Sequence, residues 1–184
     1  MPSKSILFLQ RNRVFLGFII SLAYLIFSRP SPAPLSVGVA VASLGLLLRA
    51  WACGHLRKTL ELDVSGPYAH TRNPLYLGTF IIAIGFGIAS GSWWLFLLVV
   101  TYIGSIYFPV MNVEADVLRQ RLGQEYEEYE ANVPLLIPRL TPWKKSDRTF
   151  DFQLYLKNGE YNAAIGLAVA TAILVAKIYA PNFL

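Results

Sequence analysis

One cysteine, Cys53, and two histidines are all that this chain of 184 residues offers to disulfide or metal chemistry. No internal disulfide can form and no paired-thiol spacing suggests a zinc site or a redox motif, so Cys53 reads as a small buried apolar residue. Two histidines without a cysteine or carboxylate at ligand spacing make no metal site. Charge is scarce as well: 15% of residues are charged, against 55% hydrophobic and 14% aromatic, and the mean hydropathy is +0.48. That balance excludes an ordinary soluble domain of this length. The formal charge of +5 does not point to nucleic acid, because the basic residues lie between apolar runs rather than in one stripe. Anionic membrane lipids are the expected partner. Repeats, low-complexity tracts and separate soluble domains are absent, and the glycine-rich GFGIASG follows no strand, so it is no phosphate cradle.

What is present is a series of apolar runs. A bilayer-crossing helix needs about 20 mostly apolar residues, fewer when its flanks snorkel or the bilayer thins. Five segments qualify: Val14 to Ser28, Leu35 to Gly54, Leu75 to Ala89, Trp93 to Met111 and Asn162 to Tyr179. The fold class is therefore all-α, a polytopic membrane protein expected to form a single membrane-embedded domain over 1–184. The prolines of SRPSPAPLS set a hairpin turn between the first two spans. SGSWW supplies a tight turn and interfacial tryptophans between the third and fourth. Lys4, Arg11 and Arg13 before an apolar stretch resemble a secretory signal, but a second span follows at once, so the first helix is expected to be retained. Fourteen of the sixteen basic residues fall in the N-terminus, in Arg49 to Arg72 and in Arg119 to Lys157. By the positive-inside rule those segments are cytoplasmic.

The stretch SGPYAHTRNPLYLGTF, Ser65 to Phe80, crowds polar groups at the mouth of the third span. Pro74 suits the first turn of a helix and Asn73 its N-cap. From Arg72 the chain makes two crossings and returns to the same side at Glu114, so a basic and an acidic group are expected at one hairpin's open end. Beyond it, Val113, Val117, Leu118, Leu122, Tyr126 and Tyr129 fit one face of a cytoplasmic amphipathic helix from Asn112 onward. Glu125, Glu127, Glu128 and Glu130 are expected on its solvated face, whereas Glu114, at membrane depth, calls for a partner or a task. Arg72 and Glu114 are thus candidate catalytic residues, and His70 is a candidate general base, with a turn histidine as the plain alternative. His55 is expected to be a helix-end cation. Arg49 either snorkels or lines the same pocket from the second span. Trp143, Lys144, Lys145 and Arg148 suit adhesion to lipid headgroups.

The ordered set GPYAHTRNPLYLG, a pair of spans, Glu114, LRQRLGQEYEEY and VPLLIPR resembles the integral-membrane isoprenylcysteine carboxyl methyltransferases and the related phospholipid methyltransferases, over roughly residues 49–139. The resemblance implies S-adenosylmethionine as methyl donor, bound at the cytoplasmic ends of the helices, and a lipophilic acceptor. It places the cofactor contacts on Leu60 to Asp63, including Leu62 and Asp63, on Tyr68, on Asn73, Pro74, Leu75 and Tyr76, and on Glu114. Such chemistry suits these side chains: Glu114 accepts, Arg72 donates, and tyrosines do both. Direct displacement needs positioning rather than a nucleophile motif.

Three positions depart from the family pattern. Asn73 stands where a histidine is usual, Ala115 where a second glutamate is usual, and Val110 where the prenylcysteine enzymes carry an arginine associated with substrate. The span at Asn162 to Tyr179 is additional. The reading is a methyltransferase acting on a lipophilic substrate, with a phospholipid amine methyltransferase as runner-up and a non-enzymatic scaffold or carrier as the alternative from another class. A carrier would place ionisable residues deep in several spans, and here they lie at the edges.

Overall fold

A computed structural model of the chain describes residues 4–57 and 62–180. Its elements are α1 (Lys4–Phe27), α2 (Pro32–Cys53), a 3-10 turn (Gly66–Ala69), α3 (Pro74–Ala89), α4 (Trp93–Leu122), α5 (Gln124–Asn132), α6 (Phe152–Lys157) and α7 (Tyr161–Tyr179). No strand occurs among the described residues. The all-helical, polytopic expectation stands. Pro32–Cys53, Trp93–Leu122 and Tyr161–Tyr179 are long and apolar enough to cross a membrane, and Phe15–Phe27 and Pro74–Ala89 are shorter apolar helices.

The boundaries differ in two instructive places. Pro32 and Pro34 lie inside the first turn of α2, leaving Ser28–Ser31 as the whole turn. A missing N–H costs nothing in a first turn, whose amides have no intrahelical acceptor. The expected amphipathic helix from Asn112 is not a separate element at its start: Asn112–Leu122 continues α4 through Pro109 without a break. The chain turns only at Gly123, whose φ of 56° is a left-handed conformation that favours glycine, and α5 then begins. The expected apolar face is kept in part: Leu118 and Leu122 pack with the buried Tyr126 and Tyr129 across this turn, while Val113 and Val117 are exposed.

The described residues fall into two compact units. The first comprises Met1–Ser43, Phe80–Val110 and Gly166–Leu184. Tyr24, Leu35, Ala89 and Leu174 form its buried cluster, with Val39, Phe86, Val99 and Ile178 against it. The Tyr24 hydroxyl donates to the Phe86 carbonyl at 2.7 Å. Its helices carry apolar side chains outward as well: Phe15, Phe18, Leu22 and Ile26 form an exposed stripe on α1, which is the pattern of a helix solvated by lipid. α1 has no basic residue in its last turn, and Lys177 supplies one from α7, donating to the carbonyls of Leu25 and Ile26 and to Ser28 Oγ. This satisfies orphan carbonyls at the negative end of the helix dipole.

Two glycines decide how closely α2 and α3 approach. A Cβ on Gly38 would stand 2.6 Å from the Ala89 nitrogen, and one on Gly85 would stand 2.8 Å from the Ala42 Cβ. Backbone therefore meets backbone, the usual means of packing helices in a bilayer.

The second unit comprises Leu44–Thr79 and Met111–Ile165. Its core is Ala115, Tyr126, Tyr129 and Val133, with Leu62, Val64, Leu118, Leu122 and Trp143 packed on it. Trp143 stacks at a tilt on Tyr129, with ring centroids 5.5 Å apart, so the loop expected to adhere to headgroups also closes this core. α6 was not legible as a helix. Asp151 caps it by accepting from the Gln153 and Leu154 amides.

The close approach yields a test. Gly38→Leu should lower the apparent melting temperature in detergent by an amount equivalent to about 1–3 kcal/mol of overpacking. Gly166→Ala, where an added Cβ meets nothing within 4 Å, should leave it unchanged; equal effects would mean that the α2–α3 contact is not limiting.

Candidate functional site

The second unit contains almost every site residue expected from the sequence. Ser65 to Tyr76 does not float at a helix mouth but is zipped to the segment 134–143. The amides of Arg72, Arg139 and Trp143 donate to the carbonyls of Pro134, His70 and Ala69 at 2.9 Å each. Thr71 Oγ1 donates to the Leu136 carbonyl at 3.0 Å, and Asn73 Nδ2 to the Leu135 carbonyl at 3.0 Å. Asn73 does occupy the N-cap position of α3, since its carbonyl accepts from the Leu77 amide, but its side chain serves the zipper. Pro74 is fully buried behind it.

His70 Nδ1 lies 2.8 Å from the Arg139 carbonyl. A carbonyl only accepts, so Nδ1 carries the proton in the neutral ring and Nε2 is left as the basic nitrogen. His55 is not the expected helix-end cation. It is buried, its Nδ1 is 3.0 Å from Ser65 Oγ, and burial together with the Arg57 charge holds its pKa below the usual imidazole value.

Arg72 does not pair with Glu114. Its Nη1 binds Glu130 Oε1 and lies 3.5 Å from the Tyr126 hydroxyl. Arg119 grips the other Glu130 oxygen through Nε and Nη2 at 3.1 and 2.7 Å, and its Nη1 reaches Asp116 at 2.7 Å. Glu130, expected on a solvated face, is thus the shared anion of two guanidiniums. Burial alone would raise its carboxyl, but hydrogen bonds from Arg119 and Arg72 outweigh that and keep it below the usual range. Glu114 has a different partner: the Tyr76 hydroxyl donates to its Oε1 at 2.7 Å. The hairpin does bring residues distant in sequence to one place, through Tyr76 rather than Arg72.

Two buried donors in this stretch, the Tyr68 hydroxyl and Arg72 Nε, have no hydrogen-bond partner. An unsatisfied buried donor costs about 1–3 kcal/mol, so each is a natural place for a bound acceptor. Burial, and then the neighbouring Cys53 and Asp63, push the Tyr68 phenol up, keeping it a donor. The Tyr68 carbonyl accepts from the Tyr129 hydroxyl at 2.8 Å, which fixes the residue without using its own hydroxyl. Asp63 is buried and accepts from the Arg57 amide at 2.8 Å and from Arg148 at 3.3 Å. Leu62 packs on the core, and the Leu75 carbonyl accepts from Thr79 Oγ1 and Arg49 Nη1. Leu60, with Glu61, lies outside the described residues.

The departure at Ala115 has a packing reason. It is buried against Tyr126, Tyr129 and Val133, where a second carboxylate would be desolvated.

Sequence reasoning missed Glu130 and Glu160. Both follow runs of polar residues that read as solvated, and the available signal was the surplus of arginines at helix ends in need of anions.

A family model described as phospholipid methyltransferase matches residues 34–125, half of the chain. The chain is 30% identical over 122 residues to the nickel-cobalt-cadmium resistance protein NccN of Alcaligenes xylosoxydans xylosoxydans, covering 65% of this chain and 56% of that protein. It is 28% identical over 149 residues to the cobalt-zinc-cadmium resistance protein CzcN of Cupriavidus metallidurans, covering 74% and 68%. It is 26% identical over 129 residues to the protein-S-isoprenylcysteine O-methyltransferase of Schizosaccharomyces pombe, covering 67% and 55%. The chain thus spans little more than half the length of the first of these relatives. No solved structure matches it.

Three substitutions probe this geometry. Glu130→Ala should destabilise the protein by about 1–2 kcal/mol, the range for a charged hydrogen bond discounted because the Glu130 side chain keeps 27% of its surface. Glu130→Gln should remove part of the loss of stability seen below the usual carboxylate range, since a depressed carboxyl stabilises above its unfolded pKa and ceases to do so as pH falls through the folded value. For His55 the folded pKa is also depressed, so stability is held above the unfolded value of about 6.5 and falls as the unfolded ring takes its proton first. The decline in melting temperature between about pH 7 and 5.5 should be shallower in His55→Gln than in the wild type. An identical decline would show that burial of this ring does not govern the acid limb.

Proposed function

The chain belongs to the phospholipid methyltransferase family, and from that premise we propose that it is a membrane methyltransferase that uses S-adenosylmethionine on a lipophilic acceptor. The observation that carries this reading is the pair of buried, unpartnered donors, the Tyr68 hydroxyl and Arg72 Nε, within the same doorway from which Tyr76 engages Glu114. The methyl donor, when bound, supplies an electrophilic methyl on a sulfonium, and its carboxylate and hydroxyls are the kind of acceptor that a buried donor recognises. Glu114, already oriented by the Tyr76 hydroxyl, would accept from its ammonium or hydroxyl groups. These residues fit the group.

The remaining work falls to this chain's own side chains. The zipper between Ser65–Tyr76 and 134–143 holds the binding residues on a rigid backbone, so their orientation does not have to be established when the donor arrives. His70, with Nδ1 committed to the Arg139 carbonyl, holds Nε2 ready to take a proton from an acceptor that is not already ionised. Tyr126 and Tyr129, buried in the adjoining core, exclude water. By the positive-inside rule we place this site and the N-terminus on the cytoplasmic side.

Val110 leaves no guanidinium one turn before Glu114 for a carboxylate acceptor. A prenylcysteine is therefore less suited than a lipid amine or a hydrophobic thiol. The relatives NccN and CzcN are named for metal resistance, and those names describe those proteins. A methylation that alters lipid or thiol chemistry at the membrane is compatible with those names.

Calorimetric titration of the purified protein with S-adenosylmethionine and its demethylated product is the direct test. Wild type should bind, Tyr76→Phe and Glu114→Ala should weaken binding about tenfold or more, as expected for loss of charge-assisted hydrogen bonds, and Glu127→Ala, on an exposed face, should not. Absence of binding to the wild type would remove the case for this enzyme. A radiolabelled-methyl assay across phosphatidylethanolamine, hydrophobic thiols and prenylcysteine then identifies the acceptor class.

A further inference from the structure

The segment from Asp151 to Glu160 lies outside the residues matched by the family model, yet it is bonded repeatedly to the end of α2 within the second unit. The Asp151 amide donates to the Gly54 carbonyl at 2.9 Å. Asn158 Nδ2 donates to the carbonyls of Cys53 and Leu56 at 3.2 and 3.3 Å, supplying partners to the end of α2. Then comes Glu160, 6% exposed at the start of α7, whose carboxylate receives Arg49 Nε at 2.5 Å and Nη2 at 2.9 Å, with Cys53 Sγ at 3.4 Å. The remaining arm of the guanidinium, Nη1, donates to Thr79 Oγ1 at 2.6 Å and the Leu75 carbonyl at 3.3 Å.

A guanidinium is planar, so a two-pronged grip on Nε and Nη2 dictates where Nη1 points. Here it points at the first turn of α3. Gly78 makes the passage possible, since a Cβ there would stand 2.5 Å from Arg49 Cγ and 2.7 Å from the Gly45 carbonyl. That turn carries Tyr76, the residue that holds Glu114.

We propose that Glu160 is a positioning residue for the methyl-donor site: acting through Arg49, the extra C-terminal segment fixes the first turn of α3 and with it Tyr76. Arg49 thus neither snorkels nor touches ligand; it transmits orientation. The effect on donor affinity rests on the function proposed above, whereas the effect on the α3 turn does not.

The test uses the full chain in detergent or nanodiscs with three readouts: donor affinity, melting temperature, and the rate at which a maleimide labels Cys53, the only cysteine. Glu160→Gln should weaken donor binding about tenfold, the range for a lost charge-assisted contact, and should accelerate Cys53 labelling while the protein remains folded at the assay temperature. The exchanged pair Arg49→Glu with Glu160→Arg should recover melting temperature and slow labelling but not donor affinity, because a carboxylate at position 49 cannot donate to the Leu75 carbonyl. Recovery of affinity along with stability would reduce the pair to a structural staple and overturn the proposal, as would unchanged affinity in Glu160→Gln. Should the exchanged pair not fold, Thr79→Val, which keeps the shape and removes the nearer of the two Arg49 acceptors on α3, must weaken donor binding without changing Cys53 labelling; unchanged affinity overturns the proposal. If the wild type binds no donor, hydrogen exchange of the Leu77 to Thr79 amides decides alone. Faster exchange in Glu160→Gln supports the positioning role even though the enzyme reading has failed, and equal exchange ends both.

Discussion

A guanidinium placed at the end of an apolar helix has to find an anion, because the desolvated charge otherwise costs more than the fold can absorb. In the second unit Arg49 and Arg72 face this constraint, and much of the unit follows from the carboxylates they find. Arg49 takes Glu160 and thereby recruits the segment before α7. Arg72 takes Glu130 and thereby sets the position of α5 against the start of α3, with Arg119 of α4 sharing the same carboxylate. Neither pairing is local in sequence. Each joins elements that the apolar cores alone would leave free to slide, since apolar contacts are not directional.

These commitments leave Glu114 free of arginine and dependent on Tyr76, a neutral partner. A carboxylate held by a phenol has no cationic partner, whereas one forked by a guanidinium already has one. Arg72, with one arm anchored on Glu130, still carries a buried Nε without a partner. A negative group and a donor thus remain available in the doorway because Glu130 has taken the pairing that Glu114 was expected to make.

The spans were legible because apolar length is a property of the chain alone, and the five runs are the helices α1, α2, α3, α4 and α7 with shifted ends. Their ends were less so. Pro32 and Pro34 read as turn residues because proline breaks helix interiors, but the first turn tolerates both. The face predicted through Tyr129 failed at Val113 and Val117, which are exposed, while Leu118 and Leu122 still pack with Tyr126 and Tyr129 across the left-handed Gly123. Candidate residues of the doorway could be proposed from their motif, yet their pairings could not: nothing in EYEEYEAN distinguishes Glu130 from Glu127, and only the tertiary placement of Arg72 and Arg119 does. The same holds for Glu160, which stands more than a hundred residues from its arginine.

The departures from the family pattern are consistent with one another when read through these contacts. Asn73 uses an uncharged amide to bind the Leu135 carbonyl, a task a protonated ring would also perform but with a charge near Arg72. Ala115 faces a tyrosine core in which a carboxylate would lie buried. Val110 removes a cation from the turn before Glu114. Fewer fixed charges line the stretch between Asn73 and Ala115, and Glu114 is left as its principal anion. If this stretch forms the site proposed above, it would favour a cationic or neutral acceptor over a carboxylate, since like charges disfavour each other more strongly as water is excluded. Under the function proposed above, the choice of acceptor would therefore turn less on any residue that is present than on the position that Val110 occupies.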